Sequence, residues 1–272
     1  MKARWLVLSA TTIFILMIVG IPECRSDTAL FIQSLLLNDQ NILKSSGLEL
    51  IVPTAKTVSG SQWDETMKSF QPGQDFPHGA TRGRMSILYN FGDFEKGHST
   101  FYDPEADTYN AHYGVYAIQL DEGIFGLKDG QVDFESITRL VAYDQLNLVM
   151  ASLGCPRSQC VFDSKITATK DNIAMAGFDD WTQIDAKIIT NSPLHQKTAF
   201  KQGYLQYGQP PQNYQGKDFP FVDMAGRLYL RYDVDVNLTI IYFVVAKNEE
   251  IVAETSQDYL IPIQWIKAEE KE

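Results

Sequence analysis

From Leu228 to Val245 the chain alternates with a period of two. Leu228, Leu230, Tyr232, Val234, Val236, Leu238 and Ile240 are apolar, and Arg231, Asp233, Asp235, Asn237 and Thr239 between them are polar. Successive side chains of a strand point to opposite faces, so this stretch excludes a helix and commits its region to β-sheet. Past Ile240 both parities are apolar, which predicts a strand entering a zone covered on both sides. A strand that long is expected to bulge or to pass between sheets.

Other segments extend the β reading. Met85, Ile87, Tyr89 and Phe91 alternate with Arg84, Ser86 and Asn90, giving a strand from Gly83 with one buried and one partly wet face. Ala111 to Leu120 is apolar on both faces, as a central strand is. Trp181 to Ile189 alternates, with Ile184, Ala186 and Ile188 on one side. Asp171-Asn172 is expected to turn a hairpin between Lys165–Lys170 and Ile173–Ala176. Leu48 to Val58 reads as an edge strand because of Pro53. Ile251–Ala253 and Tyr259–Ile266 read as short strands, while 59–82 and 202–220 read as loops.

Two segments carry a helical stripe. Asp27 to Ser46 presents Leu30, Ile32, Leu35, Leu36, Ile42 and Leu43 before Gly47. Asp133 to Leu153 presents Phe134, Ile137, Leu140, Val141, Leu148 and Val149 behind an Asp133 cap. The predicted fold is therefore mainly β, β-sandwich-like, or α+β, with two amphipathic helices packed on antiparallel sheet.

Ahead of this domain, Trp5 to Pro22 is an uncharged apolar run behind Lys2 and Arg4. A basic flank followed by an apolar stretch is an export pattern, and at about 1.5 Å per residue the run covers roughly 27 Å, near the lower limit for a bilayer span. Residues 1–26 are thus expected to be a signal peptide or a membrane anchor through residues 5–22. Residues 27–272 would then form one exported β-rich domain, secreted or anchored on the extracytoplasmic side. Glu23 before Cys24 departs from a lipoprotein attachment sequence, which needs a small residue there. The net charge of −11 repels phosphate backbones, so nucleic acid is not an expected partner.

In an oxidising compartment Cys155 and Cys160, separated by a turn at Pro156, are expected to form a local disulfide. Ser152-Leu153-Gly154-Cys155-Pro156-Arg157 also resembles the S-x-G-C-x-R pattern around the nucleophilic cysteine of L,D-transpeptidases, which act on peptidoglycan. That resemblance implies a Cys155 thiolate working with a histidine base. It covers six residues; Leu153 stands where that family has His, and the nearest upstream histidine is His112.

His98 and His112 flank a carboxylate-rich loop, and His78 precedes it. With Asp103 and Asp107 they are candidates for a divalent metal or an acid/base cluster, although no H-E-x-x-H spacing accompanies them. No cofactor is specified. Tyr207, Tyr214 and Phe219 lie among Gln, Asn, Gly and Pro, a composition suited to carbohydrate or protein ligands. Asn237-Leu238-Thr239 is a formal glycosylation sequence. The expected function is an exported or anchored cell-envelope domain with a binding or accessory role. The alternative is an envelope hydrolase or transferase using Cys155 or the His/carboxylate cluster, with His112 and His98 as catalytic candidates.

Overall fold

The structure, a computed structural model, describes residues 41–52, 63–70, 81–90, 94–95, 98–99, 109–150, 158–191 and 220–267. The expected export segment and the first part of the Asp27–Ser46 helix lie outside them.

The architecture is mainly β. An antiparallel seven-stranded sheet is built from β3 (Trp63–Phe70), β4 (Gly83–Asn90), β7 (His112–Leu120), β10 (Phe162–Met175), β11 (Phe178–Asn191), β12 (Phe221–Asp233) and β13 (Leu238–Ala246). Its spatial order is β10-β11-β12-β13-β7-β4-β3. A second, three-stranded sheet has the order β1-β2-β14, from β1 (Ile42–Ser45), β2 (Leu48–Ile51) and β14 (Gln264–Lys267). Two-residue pairs complete the strands: β5 (Phe94–Glu95) with β6 (His98–Ser99), and β8 (Leu127–Lys128) with β9 (Gln131–Val132).

Both faces of the large sheet are covered. On one face Ile87, Ile118, Ile184, Leu230 and Ile241 meet Ile137 and Leu140 of helix α1 (Phe134–Tyr143). On the other, Val115, Trp181, Tyr229, Ile240 and Tyr242 meet Leu43, Leu48 and Leu50 of the small sheet. Val252 of helix α2 (Glu249–Thr255) joins that second core. This explains why β7 and β13 are apolar at both parities: every residue of β13 is buried. Trp181 is fully enclosed, and its indole N–H donates to the Met175 carbonyl at 2.8 Å.

Glycine shapes the centre of the sheet. Gly114 faces Tyr89 on one neighbouring strand and Phe243 on the other. A Cβ there would stand 1.9 Å from the Leu88 carbonyl oxygen, so only glycine permits this approach.

The helix expected to run to Ser46 gives way to a hairpin. Ser46 and Gly47 both have positive φ, at 48° and 79°, and turn β1 into β2. Two residues with φ above zero match the twist of a tight hairpin, and burial of Leu43 and Leu50 outweighs the helical spacing. The expected loop at 59–82 contains β3, paired along its length with β4. The hairpin turn expected at Asp171-Asn172 sits at Ala176-Gly177, again with both φ positive; Asn172 marks an irregularity inside β10 instead.

The long strand over Leu228–Val245 is a hairpin. Val234–Asn237 forms its turn, and Val234, 76% exposed, is its tip. Asp233 Oδ1 accepts the Asp235 N–H at 3.1 Å, and Tyr232 donates to Asn237 Oδ1 at 2.9 Å. The register pairs even with odd positions, so Leu228 and Leu230 lie on the α1 face and Leu238 and Ile240 on the other; because both faces are covered, the apolar residues keep even numbers on either side of the turn and the alternation passes through it unbroken. In the glycosylation sequence Thr239 is buried and donates to the Phe125 carbonyl at 2.8 Å. The expected strand at Ile251–Ala253 is part of α2, capped by Asn248, whose Oδ1 accepts the Ile251 N–H at 2.9 Å. Tyr259 and Leu260 close a π-helical turn (Ser256–Leu260), so the last strand begins only at Gln264.

Candidate functional site

Helix α1 begins as expected. Asp133 accepts both the backbone N–H and the hydroxyl of Ser136, at 3.3 and 2.6 Å. After Tyr143 the helix widens into a π-helical segment, Asp144–Val149, in which the Met150 N–H reaches back to the Gln145 carbonyl. The widened turn lets two adjacent polar residues, Asp144 and Gln145, both face the sheet, 0% and 3% exposed.

Asp144 is held by two phenols from neighbouring strands. Tyr89 of β4 donates to its Oδ1, and Tyr116 of β7 donates to its Oδ2 at 2.5 Å. Burial pushes the carboxyl up to about 6, while the two phenolic bonds pull it down. Burial, together with the Asp144 charge and hydrogen bond, raises the Tyr116 hydroxyl well above its ordinary value.

Gln145 reaches the adjacent His112. Its Nε2 lies 3.0 Å from His112 Nε2, and His112 Nδ1 lies 3.2 Å from the Asn110 carbonyl. These partners assign the tautomer: Nδ1–H donates to Asn110, and Nε2 accepts from Gln145. Burial lowers His112 to about 4, against the raising effect of the Asn110 carbonyl, so the ring is neutral. Phe243 organises the aromatic side of this cluster, with ring centroids 4.6 Å from Tyr116 and 6.0 Å from both Tyr89 and His112.

Tyr116, Gln145 and Phe243 of this cluster also line a cleft between α1 and the sheet. Tyr116, Gln145, Phe243 and Ile184 are among its buried lining residues. Thr138, Val141, Ser164, Ile166 and Ala186, all partly exposed, form its mouth. Its volume is about 40 Å³, room for roughly two or three waters, but its lining is mostly apolar and offers water few partners.

Among the sequence candidates, His112 is part of this cluster, with both ring nitrogens engaged and 3% exposure. To act as a general base it would first have to give up Gln145. His98 lies on β6, opposite Glu95 of β5. His78, Asp103, Asp107, Cys155, Tyr207, Tyr214 and Phe219 lie outside the described residues. Among the described residues, no group of three His, Cys, Asp or Glu side chains gathers as metal ligands. Cys160 is partly buried against the core on the α1 face.

Sequence reasoning missed Asp144, Gln145, Tyr89 and Tyr116 as a unit. One signal was present: Leu140, Asp144 and Leu148 are spaced by four, which places a carboxylate on the apolar stripe of α1. A buried carboxylate demands donors, and the two inward tyrosines of the central strands supply them.

Comparison with protein-family models, with curated proteins and with solved structures finds no match to this chain.

Proposed function

We propose that this protein is an exported or membrane-anchored cell-envelope domain, sandwich-like in architecture, with a binding or accessory role. The observation that supports a binding role over an enzymatic one is the setting of His112: the histidine a catalytic reading would use as base is buried, with both ring nitrogens engaged by Asn110 and Gln145. The apolar run at residues 5–22 supports the extracytoplasmic address, and the acidic balance disfavours nucleic acid.

The test uses the full chain purified from the membrane or medium of producing cells. Purified peptidoglycan, a carbohydrate-containing envelope polymer, should co-sediment with it saturably and no turnover should accompany the binding. Turnover of an envelope substrate that disappears on Cys155→Ala or His112→Ala would overturn the binding role and establish the hydrolase or transferase instead.

A further inference from the structure

The large sheet ends in two edge strands, β10 and β3, and they are built differently. At β10 the ladder slips three times. At β3 the pairing with β4 keeps one register from Trp63 opposite Asn90 to Phe70 opposite Gly83, eight residues without a bulge. Among the described residues no strand lies on the outer side of β3. Alternate residues of an antiparallel strand turn their N–H and C=O to that side, and no proline interrupts the row. The edge is therefore a regular template for one more strand.

A second copy of β3 fits that template only in particular registers. Antiparallel neighbours in one sheet are related by a two-fold axis normal to the sheet, which keeps every residue on its own face. Opposite residues must then share parity, so the axis passes through a residue position and not between two. An axis at Asp64, Glu65 or Lys68 sets that residue opposite its own like charge. An axis at Met67 brings no opposite charges together. An axis at Thr66 sets threonine opposite threonine, with Asp64 of each copy opposite Lys68 of the other. We propose that this protein forms a two-fold dimer through antiparallel pairing of β3 with β3 of a second copy, centred on Thr66. The main-chain bonds supply the attraction, and the two crossings of opposite charge select the register.

The experiment measures the mass of the full chain, kept in detergent for its apolar N-terminal run, by analytical ultracentrifugation over about 1 to 100 μM. The unaltered chain should pass from monomer to dimer in that range. Asp64→Lys and Lys68→Asp each set like charges opposite at both crossings, and each should weaken the dimer about tenfold. The double variant exchanges the charges and should restore it. Mixing the two single variants sets ammonium against carboxylate at both crossings, so heterodimers should form at concentrations where neither variant dimerises alone. Recovery in the double variant and in the mixture excludes misfolding as the cause of the loss. A chain that stays monomeric throughout, or a dimer indifferent to both single variants, overturns the β3 interface. Single variants that weaken the dimer yet fail to pair on mixing overturn the register centred on Thr66.

Discussion

Tyr116 and Asp144 join the central strand β7 to the π-helical turn after α1 through a 2.5 Å hydrogen bond, with both residues buried. Tyr89 donates to the other carboxylate oxygen, so one side chain fastens the helix to two neighbouring strands. Removing the acceptor takes from two buried phenolic hydroxyls the carboxylate bond that each makes. Asp144→Ala is expected to destabilise the protein by about 4 kcal/mol, as two such groups would. Urea denaturation measures this; a loss under 1 kcal/mol would show that the hydroxyls find other partners.

Asp144 and His112 titrate in opposition. The folded state raises Asp144 from 3.8 to about 6, so it binds a proton more readily than the unfolded chain, and that contribution is lost as pH rises from 4 to 6. It lowers His112 from 6.5 to about 4, so the unfolded chain takes up the proton first, and stability is lost as pH falls from 6.5 to 4. Each effect is on the order of 3 kcal/mol, so they largely cancel. Stability should therefore be nearly flat over this window. With Asp144→Asn it should rise with pH, and with His112→Gln it should fall. Parallel pH profiles in the two variants would refute the opposition.

Gly114 and Gly226 look alike in sequence but sit in different surroundings. A Cβ at Gly114 meets the backbone oxygen of Leu88 at 1.9 Å, whereas at Gly226 the nearest atom is the flexible end of Ile188 at 2.7 Å. Gly114→Ala should prevent folding or cost more than about 3 kcal/mol, and Gly226→Ala about 1 kcal/mol. Thermal melting of the two variants ranks them; equal transitions would contradict the close strand approach.

The proposed Cys155–Cys160 bridge closes a short loop, and its reduction is expected to cost on the order of 2 kcal/mol. Iodoacetamide should modify neither cysteine of the native exported protein until a reductant is added. Rapid labelling of Cys155 without reductant would point to a reactive thiol instead.

The large sheet was legible wherever burial on one or both faces imposed a period, as at Gly83–Asn90, His112–Leu120 and Phe178–Asn191. The Asp133 cap and the stripe from Ile137 to Val149 announced α1. Local patterns misled where a turn kept the surrounding period intact. Val234–Asn237 hid inside an unbroken alternation, and Ser46-Gly47 hid at the end of a helical stripe. The polar cluster was harder because its parts come from β4, β7 and the turn after α1. Their meeting depends on strand order and on a π-helical offset, neither of which has a local spacing rule.

Strand β10 is an outer edge of the large sheet, fourteen residues long and exposed along most of its length. Its pairing with β11 slips at Ala168, between Lys170 and Ile173, and again before Met175, and it presents Lys165 and Lys170 to solvent. A flat edge of that length would be a template for sheets to join between molecules. The irregular ladder puts a second β10 out of step, and the exposed charges of Asp163, Lys165, Lys170 and Asp171 would have to give up water to be covered. Two copies of this chain that meet along β10 are therefore kept from joining edge to edge.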